Sequence, residues 1–189
     1  MRKLVVTEFI TLDGVVEDPG GSEGHERGGW AFQFERGDEG NKFKLDELME
    51  ADIQLLGRKT YEGFAAAWPE RTDDVGFAER MNTMRKVVVS STLENPEWNN
   101  STVIAGDVAA EVQRLKEEDG GDILVAGSVQ LVQELVERDL VDELRLMVFP
   151  AVLGSGKRLF GDTSGSKPLR VVESKQSADV VLLRLEPAN

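Results

Sequence analysis

Short apolar runs of strand length alternate along this chain with segments whose apolar residues recur at helical spacing. Such alternation is typical of an α/β sheet covered by helices, rather than of separate all-helical and all-strand parts. The predicted strands are Lys3–Phe9, Asp52–Leu56, Lys86–Ser90, Thr102–Ala105, Asp122–Ala126, Glu143–Phe149, Leu169–Ser174 and Val180–Leu185. Only residues 175–179 separate the last two, which predicts an antiparallel hairpin at the C-terminal end of a mixed, mostly parallel sheet.

Three helices are predicted between the strands, over Lys42–Glu50, Val108–Glu118 and Val129–Arg138. The sequence contains no internal repeat, no low-complexity tract and no Pro/Gly/Ser-rich linker. A length of 189 residues suits one compact α/β domain. We therefore expect residues 1–189 to form a single domain.

Charge and residue usage exclude several classes of function. Without cysteine and with one histidine, the chain cannot form a disulfide framework, a thiolate zinc site or a cysteine nucleophile, and a metal would depend on carboxylates with at most His25. We predict no metal site. Lys and Arg number 22 against 35 Asp and Glu, a net charge of −13, which disfavours nucleic acid and anionic membranes as partners. No run approaches the roughly 18 apolar residues of a membrane span, so we expect a cytoplasmic protein with a small-molecule substrate.

The segment Asp13–Gly40 is rich in glycine and carries Trp30, Phe32 and Phe34. Connections of this length inside a compact domain are usually lids or binding loops, and the aromatic rings are suited to a flat ligand. The alternative is a solvent-exposed insertion whose aromatic residues fold back on the core or meet a partner subunit. The sequence does not decide between the two.

Polar residues follow three of the predicted strands. Gly57, Arg58, Lys59 and Thr60 lead from a strand into a helix, where free amides, two cations and a hydroxyl suit phosphate groups. The alternative is a capped helix start with solvated basic residues. In open α/β sheets, ligands bind at the carboxyl ends of the strands.

The two other strand ends are Ser90-Ser91 and Ala126-Gly127-Ser128. Gly127 permits close approach of the backbone to a pyrophosphate, and Ser128 is a candidate N-cap of the following helix. Each pattern alone is weak, because every helix needs a cap and the three-glycine dinucleotide fingerprint is missing.

Two further glycine turns border the predicted strands. Gly154-Ser155-Gly156-Lys157-Arg158 follows the sixth strand and is either a second phosphate-binding turn or a surface turn with charged residues. Thr11-Leu12-Asp13-Gly14 places a carboxylate where the first strand ends, although Asp-Gly is also a common turn.

In order along the chain, these motifs resemble the dihydrofolate reductase-like superfamily. The closer similarity is to the branch that includes the reductase domain of the bacterial bifunctional riboflavin-biosynthesis deaminase-reductase. It covers roughly residues 1–186 and is carried by Thr11-Leu12-Asp13-Gly14, Leu56-Gly57-Arg58-Lys59-Thr60-Tyr61-Glu62, Val89-Ser90-Ser91, Ala126-Gly127-Ser128 and Pro150-Ala151-Val152-Leu153-Gly154-Ser155-Gly156.

The resemblance implies a mixed sheet flanked by helices, an NADPH cofactor and a homodimer. The cofactor residues that it implies are Gly57, Arg58, Lys59 and Thr60 for the phosphates, Ser90 and Ser91 for the adenosine part, and Ala126, Gly127, Ser128 and Val129 for the pyrophosphate and nicotinamide side. Apolar residues such as those of Leu144–Pro150 are candidates for the dimer surface.

The substrate side follows from the same resemblance. Candidate substrate contacts are Thr11, Trp30, Gly154 and Gly156, and candidate catalytic carboxylates are Asp13 and Glu35, with Asp46 as an alternative to Glu35. The implied activity is NADPH-dependent reduction of a small polar heterocycle or ribosylamino-pyrimidine, as in 5-amino-6-(5-phosphoribosylamino)uracil reductase. Alternatives are a non-catalytic nucleotide- or metabolite-binding protein and a true dihydrofolate reductase. The latter is less favoured because those enzymes usually have a Gly-Gly pair at the pyrophosphate turn, where this chain has Ala126-Gly127-Ser128. A zinc deaminase half is excluded because its signature requires cysteine.

Overall fold

One sheet of eight strands runs through the protein, whose computed structural model describes residues 1–188. The strands are β1 (Leu4–Thr11), β2 (Ala51–Gly57), β3 (Arg85–Val89), β4 (Ser101–Ile104), β5 (Asp122–Ala126), β6 (Glu143–Phe149), β7 (Leu169–Ser177) and β8 (Val180–Pro187). All eight predicted strands are present, and the largest differences are extensions of β1, β7 and β8 by two or three residues at their C-terminal ends.

The strand order is β4-β3-β2-β5-β1-β6-β8-β7. The first six strands in this order are parallel, whereas β8 is antiparallel to both β6 and β7. The predicted mixed, mostly parallel sheet with a C-terminal antiparallel hairpin is confirmed. Because β3, β2, β5 and β1 are adjacent and parallel, their carboxyl ends form one continuous edge, where the polar strand ends lie side by side.

Within residues 1–188, five α-helices cover the sheet: α1 (Gly37–Glu50), α2 (Arg58–Ala67), α3 (Phe77–Thr83), α4 (Val108–Glu117) and α5 (Val129–Glu137). Helix α1 begins at Gly37 rather than at Lys42, and Asp38 and Glu39 in its first turn complement the positive end of the helix dipole. Helix α3 was not predicted, because seven residues are too few for a clear apolar period. No helix within residues 1–188 is both long and apolar enough to span a lipid bilayer.

The two faces of the sheet bury different side chains, as the alternation of side chains along a strand requires. Leu4 and Val6 of β1 pack toward α4 and α5 with Val112 and Leu135. Val5 packs on the opposite face, in the cluster that includes residues of α1, α2 and α3.

Strand β6 is an interior strand, paired with β1 on one side and β8 on the other. Its residues are buried within this chain except for Val148, which is half-buried. The prediction that the Leu144–Pro150 face needs cover from a partner is therefore wrong. The exposed edge of the sheet is β7, in which every residue except Ser177 is exposed.

Segments 13–36 and 150–160 pack against each other, and we call them the two cap segments. The Val16 amide donates to the Lys157 carbonyl at 2.9 Å, and the Leu159 amide donates to the Gly14 carbonyl at 3.0 Å. Lys157 Nζ lies 2.8 Å from the Glu17 carboxylate. The predicted lid or insertion is therefore a folded segment joined to the chain that follows β6.

Candidate functional site

Two strand-to-helix turns lie together at the carboxyl edge of the sheet. One joins β2 to α2 at Gly57, and the other joins β5 to α5 at Gly127-Ser128; β2 and β5 are neighbours. The Ser128 hydroxyl accepts a hydrogen bond from the Gly57 amide at 2.8 Å and donates one to the Thr60 hydroxyl at 2.8 Å. The structure thus brings the predicted residues Gly57–Thr60 and Ala126–Val129 into one cluster.

Ser128 occupies the N-cap position of α5, but its side chain makes no capping hydrogen bond. The predicted N-cap position of Ser128 is therefore confirmed, but its hydroxyl is bonded to Gly57 and Thr60 instead of capping the helix. Both Gly127 and Ser128 have a φ of 67°, in the left-handed region. At Gly127 a Cβ atom would lie 3.1 Å from Thr60 Cγ2, so this position requires glycine for conformation and for space.

Two cations stand in the first turn of α2. The Arg58 guanidinium is exposed and lies 3.6 Å from the Glu62 carboxylate one turn later. Lys59 has no ion-pair partner within 4.0 Å among residues 1–188. The N-cap Gly57 has no side chain to occupy the first-turn amides. An anion bound here would meet free amides and two positive charges.

Ser90 and Ser91 follow β3, the strand next to β2 on the same edge. The Ser90 hydroxyl accepts the Thr92 and Leu93 amides at 3.2 and 3.0 Å, which fixes a tight turn. Ser91 is exposed. These two residues therefore extend the cluster along the edge, away from β5.

Asp13 holds the two cap segments together. Its carboxylate accepts the Thr11 hydroxyl at 2.7 Å, the Leu153 amide at 3.2 Å and the Gly154 amide at 2.8 Å. These hydrogen bonds, that of Thr11 first, lower the pKa of Asp13 to about 2. At neutral pH the group is an ionised acceptor with its oxygens engaged, which suits an anchor of the cap better than a proton donor.

Glycines of the second cap segment lie close to the first. Gly156 has a φ of 118°, and a Cβ there would lie 2.7 Å from Val15 Cγ1. Gly154 has a φ of 76° and its amide is the one bonded to Asp13. The predicted substrate contacts Thr11, Gly154 and Gly156 therefore lie together, and each has a structural role there.

Trp30 does not present its ring to a ligand in this structure. It is 1% exposed, its indole N–H donates to the Glu17 carbonyl, and its ring packs edge-to-face on Phe149 at 5.3 Å. It lies in a short 3₁₀ helix, Trp30–Gln33. Of the two alternatives for the glycine-rich segment, the one in which aromatic residues fold back on the core describes Trp30, whereas Phe32 is exposed.

The other predicted carboxylates lie apart from the two turns. Glu35 is exposed, and its backbone pairs with Asp179 at the β7–β8 turn. Asp46 forms an ion pair with Lys42 on the surface of α1. A cavity of about 160 Å³ beside Asp46, bordered by α1, β7 and β8, is lined mainly by charged side chains and contains none of the predicted cofactor residues. No group of metal-ligating side chains was found within residues 1–188.

Two buried carboxyl groups near the edge were not predicted. Glu47 of α1 accepts the Thr7 hydroxyl at 2.8 Å and pairs with Lys44. Glu8 of β1 is 6% exposed, and burial raises its pKa to about 8 although Lys44 and the Gly127 amide act in the opposite direction. The one signal in the sequence was an acidic residue inside the apolar run of β1.

Comparison with known proteins identifies the family whose sequences this chain matches. The sequence model of the family described as RibD C-terminal domain matches residues 2–183. The uncharacterized protein YwjB of Bacillus subtilis is 31% identical over 182 residues, 96% of each chain.

Solved structures share the fold. A putative riboflavin biosynthesis protein from Shewanella sp. PV-4 superposes with a TM-score of 0.78 at 18% identity, over 99% of each chain. Dihydrofolate reductase from Enterococcus faecalis, solved with NADP(H) and RAB-propyl, gives 0.62 at 15% identity, over 99% of this chain and 97% of that one. The predicted dihydrofolate reductase-like fold is confirmed.

Proposed function

The chain belongs to the RibD C-terminal domain family, a family of reductase domains, and on that basis we propose that it is an NADPH-dependent reductase. Its proposed substrate is a small polar heterocycle of the ribosylamino-pyrimidine kind. The observation that carries the proposal is the hydrogen-bonded pair of strand-to-helix turns at Gly57–Thr60 and Ala126–Val129.

The residues at these turns fit a dinucleotide. The first-turn amides of α2 have no side-chain cap, and Arg58 and Lys59 beside them supply positive charge in a chain of net charge −13. Glycines at positions 57 and 127 leave the turns without Cβ atoms that would collide with Ser128 and Thr60. Gly57–Thr60 would hold phosphates, Ser90 and Ser91 would border the adenosine, and Ala126–Val129 would face the pyrophosphate and nicotinamide.

When bound, NADPH supplies the hydride, and the protein binds and orients both reactants and limits access of water. Arg58 and Lys59 give a preference for NADPH over NADH, because a guanidinium forks onto the additional 2′-phosphate. The net charge of −13 disfavours nucleic acid and anionic membranes as partners, whereas a small phosphorylated ligand needs only the local positive charge of Arg58 and Lys59.

Cofactor titration tests the proposal. Quenching of Trp30, Trp68 and Trp98 fluorescence is followed while NADPH or NADH is added to wild type, Arg58→Ala and the control Arg114→Ala, an exposed arginine of α4. Loss of hydrogen bonds to a charged group predicts weakening of NADPH binding by about 10-fold or more in Arg58→Ala alone. Equal affinity for NADPH and NADH, or an Arg58→Ala variant that binds NADPH like wild type, contradicts the assignment.

A binding protein without turnover is the second candidate. It is favoured by the engagement of the Asp13 carboxylate in the cap and by the place of Glu35 at the β7–β8 turn, apart from the two strand-to-helix turns. NADPH binding with no oxidation across a substrate panel that includes the riboflavin-pathway pyrimidine supports this candidate over the reductase.

We also propose a homodimer that forms through edge strand β7, rather than through the predicted Leu144–Pro150 surface. Edge strand β7 exposes Val171 at 59% and Val172 at 45%, and within residues 1–188 the only strand it pairs with is β8, which leaves its other side for another strand. A second copy of the chain is a suitable partner for such an edge. Sedimentation at the monomer mass of 20.8 kDa alone would contradict the dimer.

A further inference from the structure

We propose that Glu8 is the proton donor of the reduction, and this assignment rests on the proposed reductase function. Glu8 was not among the predicted site residues. It carries a buried carboxyl group at the carboxyl edge of the sheet, beside the turn that would face the nicotinamide.

The position of Glu8 follows from strand register. Thr7 of β1 pairs with Ala126 of β5, so the next residues along the two parallel strands, Glu8 and Gly127, are also adjacent. By alternation, Glu8 lies on the face of the sheet that carries Val6 and Ile10, the face covered by α4 and α5. The carboxyl group therefore lies at the start of α5, next to the left-handed turn of Gly127 and Ser128.

One oxygen of this carboxyl group has no partner. Glu8 Oε1 is buried and makes no hydrogen bond within residues 1–188. A buried polar atom without a partner costs free energy, so such atoms are rare in folded proteins. The unpaired oxygen of Glu8 is accounted for if a polar atom of a bound substrate completes it.

The surroundings keep this carboxyl protonated at neutral pH. Burial is the largest influence and raises its pKa to about 8. The charged groups whose fields act on it are Glu23 from the first cap segment and, from α1 on the other face of the sheet, Lys44 and Glu47. Lys44 and the Gly127 amide lower the pKa, whereas the two glutamates raise it. A carboxylic acid with a pKa close to the working pH is suited to general acid catalysis.

Reduction of a C=O or C=N bond needs a hydride and a proton. The substrate carbon accepts the hydride that NADPH supplies, and the π electron pair moves to the oxygen or nitrogen. Glu8 gives its carboxyl proton to that oxygen or nitrogen. The C–H bond and the O–H or N–H bond form, the cofactor is oxidised, the substrate is reduced, and the Glu8 carboxylate recovers a proton from water.

Steady-state kinetics of the isosteric Glu8→Gln variant test the assignment. The probe substrate is 5-amino-6-(5-phosphoribosylamino)uracil, prepared without a deaminase. The variant retains the shape of the side chain and loses the acid, so we expect kcat to fall about 10²- to 10⁴-fold while fluorescence titration gives wild-type NADPH affinity. Activity of wild type decreases above the pKa of about 8, and the residual activity of the variant lacks that decrease. The control is Glu117→Gln, an exposed carboxylate at the end of α4. A variant with wild-type kcat and pH profile overturns the assignment.

Infrared difference spectroscopy provides a readout that does not depend on turnover. Wild type at neutral pH has the C=O stretch of a protonated carboxylic acid that Glu8→Gln lacks, and NADPH binding shifts it. If NADPH binds but leaves that band unchanged, or if the band is absent, Glu8 is not the donor and the cofactor site still stands. If NADPH does not bind to wild type at all, the proposed function itself fails.

Discussion

Replacement of Glu8 by glutamine should alter how stability depends on pH, independently of any activity. Burial raises the pKa of Glu8 from 4.5 to about 8, and Glu8 is 6% exposed, so solvent screens the effect little. Between these two values the unfolded chain has released the proton and the folded chain still holds it. Stability of wild type therefore falls with rising pH across that interval, by about 1.4 kcal/mol per pH unit and about 5 kcal/mol in total.

Glutamine has no proton to lose, so Glu8→Gln should lack this decrease. Urea unfolding of both proteins at about pH 5, 6, 7, 8 and 9 gives the free energy of unfolding at each pH. The difference between variant and wild type cancels the other titrating groups, and it should grow by about 4 kcal/mol from pH 5 to pH 9. Glu117→Gln, at an exposed position of α4, is the control for the substitution of a glutamate by glutamine itself. Parallel curves for wild type and Glu8→Gln would refute the conclusion that this carboxyl is buried and protonated.

Three further predictions concern the turns, the cap and the sheet edge. Ser128→Ala removes the partner of the Gly57 amide and should lower the free energy of unfolding by about 1–2 kcal/mol. Ser128→Gly should lower it less, because residue 128 has a left-handed backbone conformation that glycine adopts without strain. Equal losses of the two variants in urea unfolding would contradict this. The low pKa of Asp13 contributes stability that is complete above its ordinary value of 3.8 and is lost as pH falls toward about 2. In Asp13→Asn the free energy of unfolding should therefore fall less steeply with decreasing pH in this range. Equal slopes for the variant and wild type would contradict the role of Asp13 as the anchor of the cap segments. Val171→Lys places a charge on the exposed edge and should shift sedimentation toward the 20.8 kDa monomer, so unchanged association would remove β7 from the interface.

Apolar periodicity was sufficient to predict the strands, because burial on one or both faces determines residue type along each strand. The β5 and β6 boundaries, Asp122–Ala126 and Glu143–Phe149, are those of the sequence prediction. Helix α3 was missed because local hydrogen bonds establish it. The Asp73 carboxylate accepts the amides of Phe77 and Ala78, a contact that apolar spacing does not record.

The candidate site was predictable only in part. Strand-end glycines, hydroxyls and cations could be placed at one edge, because parallel strands bring their carboxyl ends together. The environment of each carboxylate depends on residues distant in the chain. Asp13 is engaged by the Gly154 amide, and Glu8 is buried at the start of α5, beside the Gly127 amide. Composition and spacing do not contain that information.

Because the two cap segments are joined by hydrogen bonds and an ion pair, neither can be exchanged alone for the corresponding segment of a related protein. Asp13 and Glu17 of the first segment each contact the second, through Gly154 and Lys157. A chimera that replaces only one segment breaks these contacts and also loses the fit of Val15 against Gly156. The two stretches, though more than a hundred residues apart, form one transferable unit, and a change of substrate preference by grafting must move both together.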